Sequence, residues 1–531
     1  MSDLFRGSPS NAPAGAPAPA GGNAPFRFHG AKIRGADNAT QSPMFEGRFG
    51  RMFRSLPPAR HTEQALRDLA ARITAEPEAE ETPETEPDAE ENTGISAGYT
   101  YFGQFIDHDL TFDPASSLQR QNDPDALIDF RTPRFDLDCV YGRGPADQPY
   151  MYAADGLHLL LGGSLTGSAF DPRARDLPRN SPVAGEPARA LIGDPRNDEN
   201  MIVAQLHSTT LRFHNRMVDA LQQRLGFVPS FEDVQREVRF HYQWVVLHDF
   251  LPTIIGDDAV RAILPQFRRD FQEKPYKPDL EFYKFKHEPF IPVEFSVAAY
   301  RFGHSMVRPS YRMNTTLPGR QSIFKVPTAD ADDSLAGMRA IPADRGIDWT
   351  LFFHIEDRPP LGPTRVQPAY KIDSSLVTPL GHLPDSVATG EHVLATRNLL
   401  RGRSMSLPSG QSVAAKMDQP VIPDDKLRVG KATQEDQASN PKIAEISRNF
   451  AHNAPLWYYV LAEAQQQFVT DTTPIRLGPV GGRIVGETFV GLLFGDAHSY
   501  VRQQPAWRAV AEFARNGQFG IAELILQAML A

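Results

Sequence analysis

With 531 residues, 41% of them hydrophobic and 23% charged, the chain has the composition of an ordinary globular protein with a large core. Its formal net charge of −10 comes almost wholly from one acidic stretch, and no basic stripe or zinc-finger spacing points to nucleic acid. A single cysteine, Cys139, excludes an intramolecular disulfide, and no uncharged apolar run approaches the roughly 18 residues of a membrane span.

Residues 1–30 contain a Pro/Ala/Gly tract, NAPAGAPAPAGGNAP, which is expected to be disordered. No apolar signal core precedes it, so a cytoplasmic protein or one exported by a leaderless route is expected. Residues 31–75 read as a lead-in, with Leu66, Leu69 and Ile73 of TEQALRDLAARIT at helical spacing. The segment 76–92 (EPEAEETPETEPDAEEN) holds nine carboxylates and no base. It reads as a solvated spacer, with docking of a basic partner as the competing reading.

The body, residues 93–531, is dominated by helical patterns. Ile202, Leu206, Phe213, Met217 and Leu221 make an apolar stripe along 200–225, and Gly226 supplies a stop. Similar patterns cover 231–251, 293–304, 392–400, 454–467 and 520–530. Strand-like alternation is scarce and no fixed repeat is visible. Length alone suggests roughly three or four domains, but the motif layout points to one catalytic domain, mainly α, with few short strands. Oligomeric state has no signature in the sequence.

Four segments carry candidate chemistry. GQFIDHDLT sets His108 between Asp107 and Asp109, with Gln104 one helical turn earlier on the same face. An acid–base or metal site is one reading; a salt-bridged surface cluster is the other. In TPRFDLD, Thr132, Arg134, Asp136 and Asp138 alternate, so an extended loop aims their oxygens at one point, as calcium requires. Asp109 is a candidate for a further carboxylate; a solvated turn is the alternative. In DPRNDEN, Asp194 and Asp198 suit the cap or first turn of the following helix. EFSVAAYRFGHSMVRP places His304 inside a helical pattern, where a structural histidine is the plainer reading.

Taken together and in this order, the segments resemble the animal-type haem peroxidases of the peroxidase–cyclooxygenase superfamily. The resemblance runs from Thr93 to Gly486 and includes LWYYVLAEA and LGPVGGRIVG. It implies haem b, with His304 as the proximal iron ligand after the Arg301-Phe302-Gly303 triplet. It makes His108 the distal acid–base group, Arg196 the distal arginine and Gln104 a holder of distal water or halide. Asp107 and Glu199 become the carboxylates that form esters with haem methyl groups. The methionine that links haem in myeloperoxidase is replaced by Asn200, which makes the chain more similar to the lactoperoxidase type. In TRNLLR, Asn398 is implied as the acceptor for the proximal imidazole, with Arg401 at the haem edge and Arg301 near the propionates. TPRFDLDCVYG resembles the family's calcium loop, which implies Asp109, Thr132, the Arg134 carbonyl, Asp136 and Asp138 as ligands. Family members usually carry Ser or Thr in place of Asp138.

The implied activity is reduction of hydrogen peroxide with oxidation of halide, thiocyanate or small aromatic donors through a ferryl intermediate. Two alternatives stand beside it. One is a haem-dependent fatty-acid dioxygenase on the same fold, although the radical tyrosine of such enzymes falls three residues before the proximal histidine, where this chain has Arg301. The other is a non-catalytic, calcium-stabilised helical scaffold.

Overall fold

Thr62 accepts a hydrogen bond from the Ala65 amide and so starts the lead-in helix, α1 (Glu63–Ile73), whose Leu66, Leu69 and Ile73 are fully buried. The computed structural model describes residues 47–76, 84, 86, 88–112, 128–129, 131–181, 188–267, 277–325 and 333–531. The expected disordered tail at 1–30 lies outside the described residues, as do 31–46 of the lead-in and 77–83, 85 and 87 of the acidic segment.

The longer helices after α1 are α2 (Ala97–Leu110), α3 (Met201–Leu225), α4 (Phe231–Val245), α5 (Leu394–Ser404), α6 (Leu456–Gln465), α7 (Pro479–Gly495) and α8 (Ile521–Ala528). The stripe Ile202–Leu206–Phe213–Met217–Leu221 is buried along α3. Asn200 caps this helix by accepting from the amides of Ile202 and Val203, and Gly226 ends it in the left-handed region at φ 76°. Both α2 and α8 pack on α3, while α5 packs on α1. Strands are short: Gly47–Gly50 pairs antiparallel with Ile128–Asp129 and parallel with Ile291–Pro292, and Glu91–Ser96 pairs antiparallel with Pro368–Tyr370. Ser310–Tyr311 and Gln321–Ser322 form a further two-stranded piece. The architecture is mainly α, as expected. Among the described residues no helix is long and apolar enough to cross a membrane.

Two helical expectations change in detail. The pattern over 231–251 continues past α4 through a π-turn at Val246–Phe250 into Leu251–Ile255. Pro252 has no amide hydrogen to bond four residues back, which favours a wider turn just before it. The pattern over 293–304 breaks into one α-turn, Val293–Ser296, and a 3-10 turn, Ala299–His304. Buried Glu294 accepts from the amides of Met52 and Phe53, tying the first turn to the lead-in, and Gly303 weakens the second.

The acidic segment is not a free solvated spacer over its described residues. Glu84 forms an ion pair with Arg312 at 2.6 Å, and Asp88 accepts from the Tyr370 hydroxyl at 3.1 Å. Glu91 is buried between Arg308, at 2.7 Å, and Arg365. Composition alone hides this, because the matching arginines sit more than two hundred residues downstream in the sequence.

Candidate active site and acidic loop

Helix α2 begins directly after the strand Glu91–Ser96 and carries Gln104, Asp107, His108 and Asp109 in its last two turns. Gln104, Asp107 and His108 line a cavity of about 410 Å³ together with Arg196, Glu199 and His304. Arg301, Asn398 and Arg401 line the same cavity. The residues expected at a haem site, drawn from four distant segments, are thus brought together. A wider, open depression of about 1200 Å³ lies around His354–Leu361 and Arg515, and no expected site residue lines it.

His108 is buried, with Nδ1 at 2.8 Å from Asn197 Oδ1 and Nε2 at 3.6 Å from Glu199 Oε1. Burial, reinforced by the Arg196 cation, lowers its pKa and keeps the imidazole neutral. Glu199 also takes the side-chain amide of Gln104. Asn200, at the place of the missing methionine, donates from Nδ2 to Gln104 Oε1 at 3.2 Å while capping α3.

Arg196 lies in a 3-10 turn, Pro195–Asp198, capped by Asp194. Its Nη2 donates to the carbonyl oxygens of His108, at 3.1 Å, and Thr111, at 2.5 Å, and its guanidinium sits over the Phe112 ring at 4.7 Å. Asp194 is fully buried between Arg196, at 2.8 Å, and Arg131, at 2.6 Å. Burial pushes its carboxyl up, but the two guanidinium groups prevail and hold it well below the usual carboxylate range. Asp194, expected at the cap or first turn of α3, instead caps this separate 3-10 turn and anchors Arg196, while Asn200 caps α3. Asp198, the other acid of that turn, pairs instead with Arg179 at 2.7 Å.

His304 ends the 3-10 turn against which α6 and α7 pack, and Trp457 donates to the Arg301 carbonyl at 3.3 Å. Asn398, from α5, stands 2.8 Å from His304 Nδ1, but through its amide nitrogen. Its oxygen accepts from Arg301 Nη1 at 3.1 Å. The expected acceptor role of Asn398 is therefore not the arrangement found: Arg301 takes the oxygen and turns the NH₂ to the imidazole. A metal on Nε2 requires hydrogen on Nδ1, so ligation calls for the amide to turn about. Burial lowers the Arg301 guanidinium to about 10 against the pull of Asp107, with Arg401 and Arg397 adding repulsion. This crowding of cations suits an anionic edge such as the carboxylates of haem.

The acidic loop meets α2 behind the cavity. Ligand oxygens of Asp109, Asp136 and Asp138 lie within 4.8 Å of one another. Both oxygens of Asp109, and Oδ1 of Asp138, are buried without a hydrogen-bond partner among the described residues. Burial and the neighbouring carboxylates push the Asp109 carboxyl well up. Burial raises Asp138 to about 7, with Arg131 opposing at 3.6 Å. Thr132 donates to Asp136 at 2.7 Å, and Arg134 lies between them with its side chain 3.8 Å from Asp496. Three converging carboxylates, two of them buried with unmet oxygens among the described residues, fit a hard cation.

The sequence reading did not single out Asn197, His207 or Arg131. Asn197 is one residue from the arginine in DPRNDEN, and His207 interrupts the polar side of the α3 stripe. Neither has a spacing signature, because their partners come from other helices and turns.

Two histidines face one cavity of a helical fold, and comparison with known proteins gives the class. The animal haem peroxidase family profile matches residues 115–504, beginning just after α2. The chain belongs to the animal haem peroxidase family. It is 26% identical to thyroid peroxidase of Rattus norvegicus over 372 residues, which cover 68% of this chain and 37% of the relative. Human myeloperoxidase is 25% identical over 209 residues, covering 37% of this chain and 25% of the relative. The chain thus spans well under half the length of these relatives. Among solved structures, peroxidase A from Dictyostelium discoideum shares the fold at a TM-score of 0.58 and 17% identity, covering 92% of this chain and 96% of that one. A fatty acid alpha-dioxygenase from Oryza sativa shares it at 0.51 and 13% identity, covering 89% and 77%.

Proposed function

We propose that the protein is a haem peroxidase that reduces hydrogen peroxide and oxidises small anionic or aromatic donors, halide and thiocyanate among them. The observation that carries this reading is the pair His108 and His304, on separate elements of one cavity in a chain of this family. His304 would hold the iron of haem b through Nε2, and Arg301 and Arg401 would meet its carboxylates. Bound haem would supply the metal that receives peroxide and the two electrons that reduce it, which a donor then replaces.

The chain's own residues do the proton work. His108 Nε2 takes a proton from the near oxygen of peroxide and returns it to the far one, which leaves as water. The Arg196 cation, fixed by Asp194, stabilises charge as the O–O bond breaks. Gln104 and Glu199, in contact beside His108, orient the incoming molecule. Asp107 and Glu199 both line the cavity, which supports their candidacy for ester links to haem. Asp109, Asp136, Asp138, Thr132 and the Arg134 carbonyl are the proposed calcium ligands.

His108→Ala should still take up haem but lose rapid peroxide reaction; unchanged turnover in that variant would remove the distal assignment. A second reading, fatty-acid dioxygenation, draws on one local feature: Tyr300 lines the cavity, its hydroxyl bonded to the Gly103 carbonyl at 3.2 Å. Oxygen uptake with a long-chain fatty acid, in the absence of peroxide turnover, would favour it.

A further inference from the structure

A neutral imidazole carries one hydrogen on two nitrogens, and only the bare nitrogen can act as a base. For His108 to take a proton through Nε2, on the side of Glu199 and the cavity, its own hydrogen must sit on Nδ1. Nδ1 lies 2.8 Å from Asn197 Oδ1. An amide oxygen has no hydrogen to give, so this contact is a hydrogen bond only in the Nδ1–H form. At the other end of the same amide, Asn197 Nδ2 lies 2.9 Å from His207 Nδ1, which must then accept. His108 is 2% exposed, and Asn197 and His207 are fully buried, so bulk water does not substitute for a missing partner.

The chain His108–Asn197–His207 therefore has a direction. If the amide turned about, its NH₂ would face His108 Nδ1 and drive the hydrogen onto Nε2, into the cavity. In the orientation found, His207 Nδ1 is the acceptor for the Asn197 NH₂. Burial lowers the His207 pKa to about 3, which keeps it neutral and able to accept.

We propose that Asn197 is a positioning residue: it fixes the Nδ1–H tautomer of His108 and leaves Nε2 bare toward the cavity. The tautomer stands on geometry alone; its consequence for peroxide rests on the peroxidase reading.

The test is nitrogen-15 NMR of the full chain, labelled at histidine, near neutral pH and without haem. The His108 resonance is identified by its loss in His108→Gln. The proposal expects His108 as the Nδ1–H tautomer in the wild type and a shift toward Nε2–H in Asn197→Leu. Haem-loaded Asn197→Leu should react with peroxide at least ~100-fold more slowly, the scale of an acid–base contribution. A wild-type His108 in the Nε2–H form overturns the proposal before any variant is made. An Asn197→Leu protein whose His108 stays Nδ1–H overturns the part given to Asn197. If haem-loaded wild type ignores peroxide while His108 is Nδ1–H, the peroxidase reading falls and this inference is supported, since the tautomer is read without haem.

Discussion

Asp109 follows His108 directly in α2, so the carboxylate that faces the acidic loop, its two oxygens without a hydrogen-bond partner among the described residues, belongs to the residue next to the imidazole of the cavity. A cation held by Asp109, Asp136 and Asp138 would therefore fix the backbone that carries the proton-transfer group. Chelation should slow the reaction with peroxide before it unfolds the protein. Stopped-flow rates and melting curves on the same chelated sample check this, and equal rates with and without calcium contradict it.

Repulsion among the three carboxylates makes a second, opposing pair of outcomes. In calcium-free protein, Asp109→Asn removes a carboxyl whose ionised form burial penalises and should raise the melting temperature by a few degrees. With calcium present the same change should lower it relative to wild type, because a ligand is lost. A calorimetric scan of both proteins in both conditions reads the crossing; parallel shifts in the two conditions contradict a cation site.

The pH dependence of peroxide reaction follows from the lowered His108 pKa. The working form is the neutral imidazole. Because its pKa lies below the ~6.5 of a free imidazole, that form persists to lower pH than usual and is lost only on further acidification. The acid limb of the rate–pH profile should therefore fall below about pH 6.5. A limb centred above that value contradicts the burial argument.

Asp194 is fully buried between Arg131 and Arg196, so Asp194→Asn takes the shared counter-charge from Arg196 and leaves Arg131 only Asp138, at 3.6 Å. Loss of one partner from such a cluster costs about 3–5 kcal/mol. Denaturant unfolding should show a drop of that order. Arg196 would also lose the side chain that holds it, and the peroxide rate should fall with stability. Unchanged stability contradicts the reading of Asp194 as an anchor.

The acidic segment offers a contrast within a few residues. Glu91→Gln breaks the buried contact with Arg308 and Arg365 and should destabilise by about 3–5 kcal/mol. Exposed Glu86→Gln should change stability by no more than about 0.5 kcal/mol. Unfolding curves of the two variants separate a docked segment from a free spacer.

The helices were legible where a stripe and its punctuation agree: the buried run from Ile202 to Leu221 and the stop at Gly226 mark α3, whereas its cap proved to be Asn200 and not Asp194 or Asp198. The cavity residues were legible only through resemblance, since His108, Arg196, His304 and Asn398 stand on four segments that no local pattern joins. What the sequence concealed depends on long-range pairing. Glu91 looks like a solvated acid until Arg308 and Arg365 are folded over it. Asn398 looks like an acceptor for His304 until Arg301 claims its oxygen. The 3-10 turn at His304 was hidden because its residues fit a helix by spacing, while Glu294 is drawn to the backbone of Met52 and Phe53.

The most direct test of the central claim is the absorption spectrum of haem-supplemented protein before and after a small excess of hydrogen peroxide, with His304→Ala beside it. A peroxidase should show a high-spin ferric Soret band that shifts within milliseconds, and the variant should fail to give that starting spectrum. A wild type that takes up no haem, or a six-coordinate spectrum indifferent to peroxide, would contradict the account and leave a helical scaffold in its place.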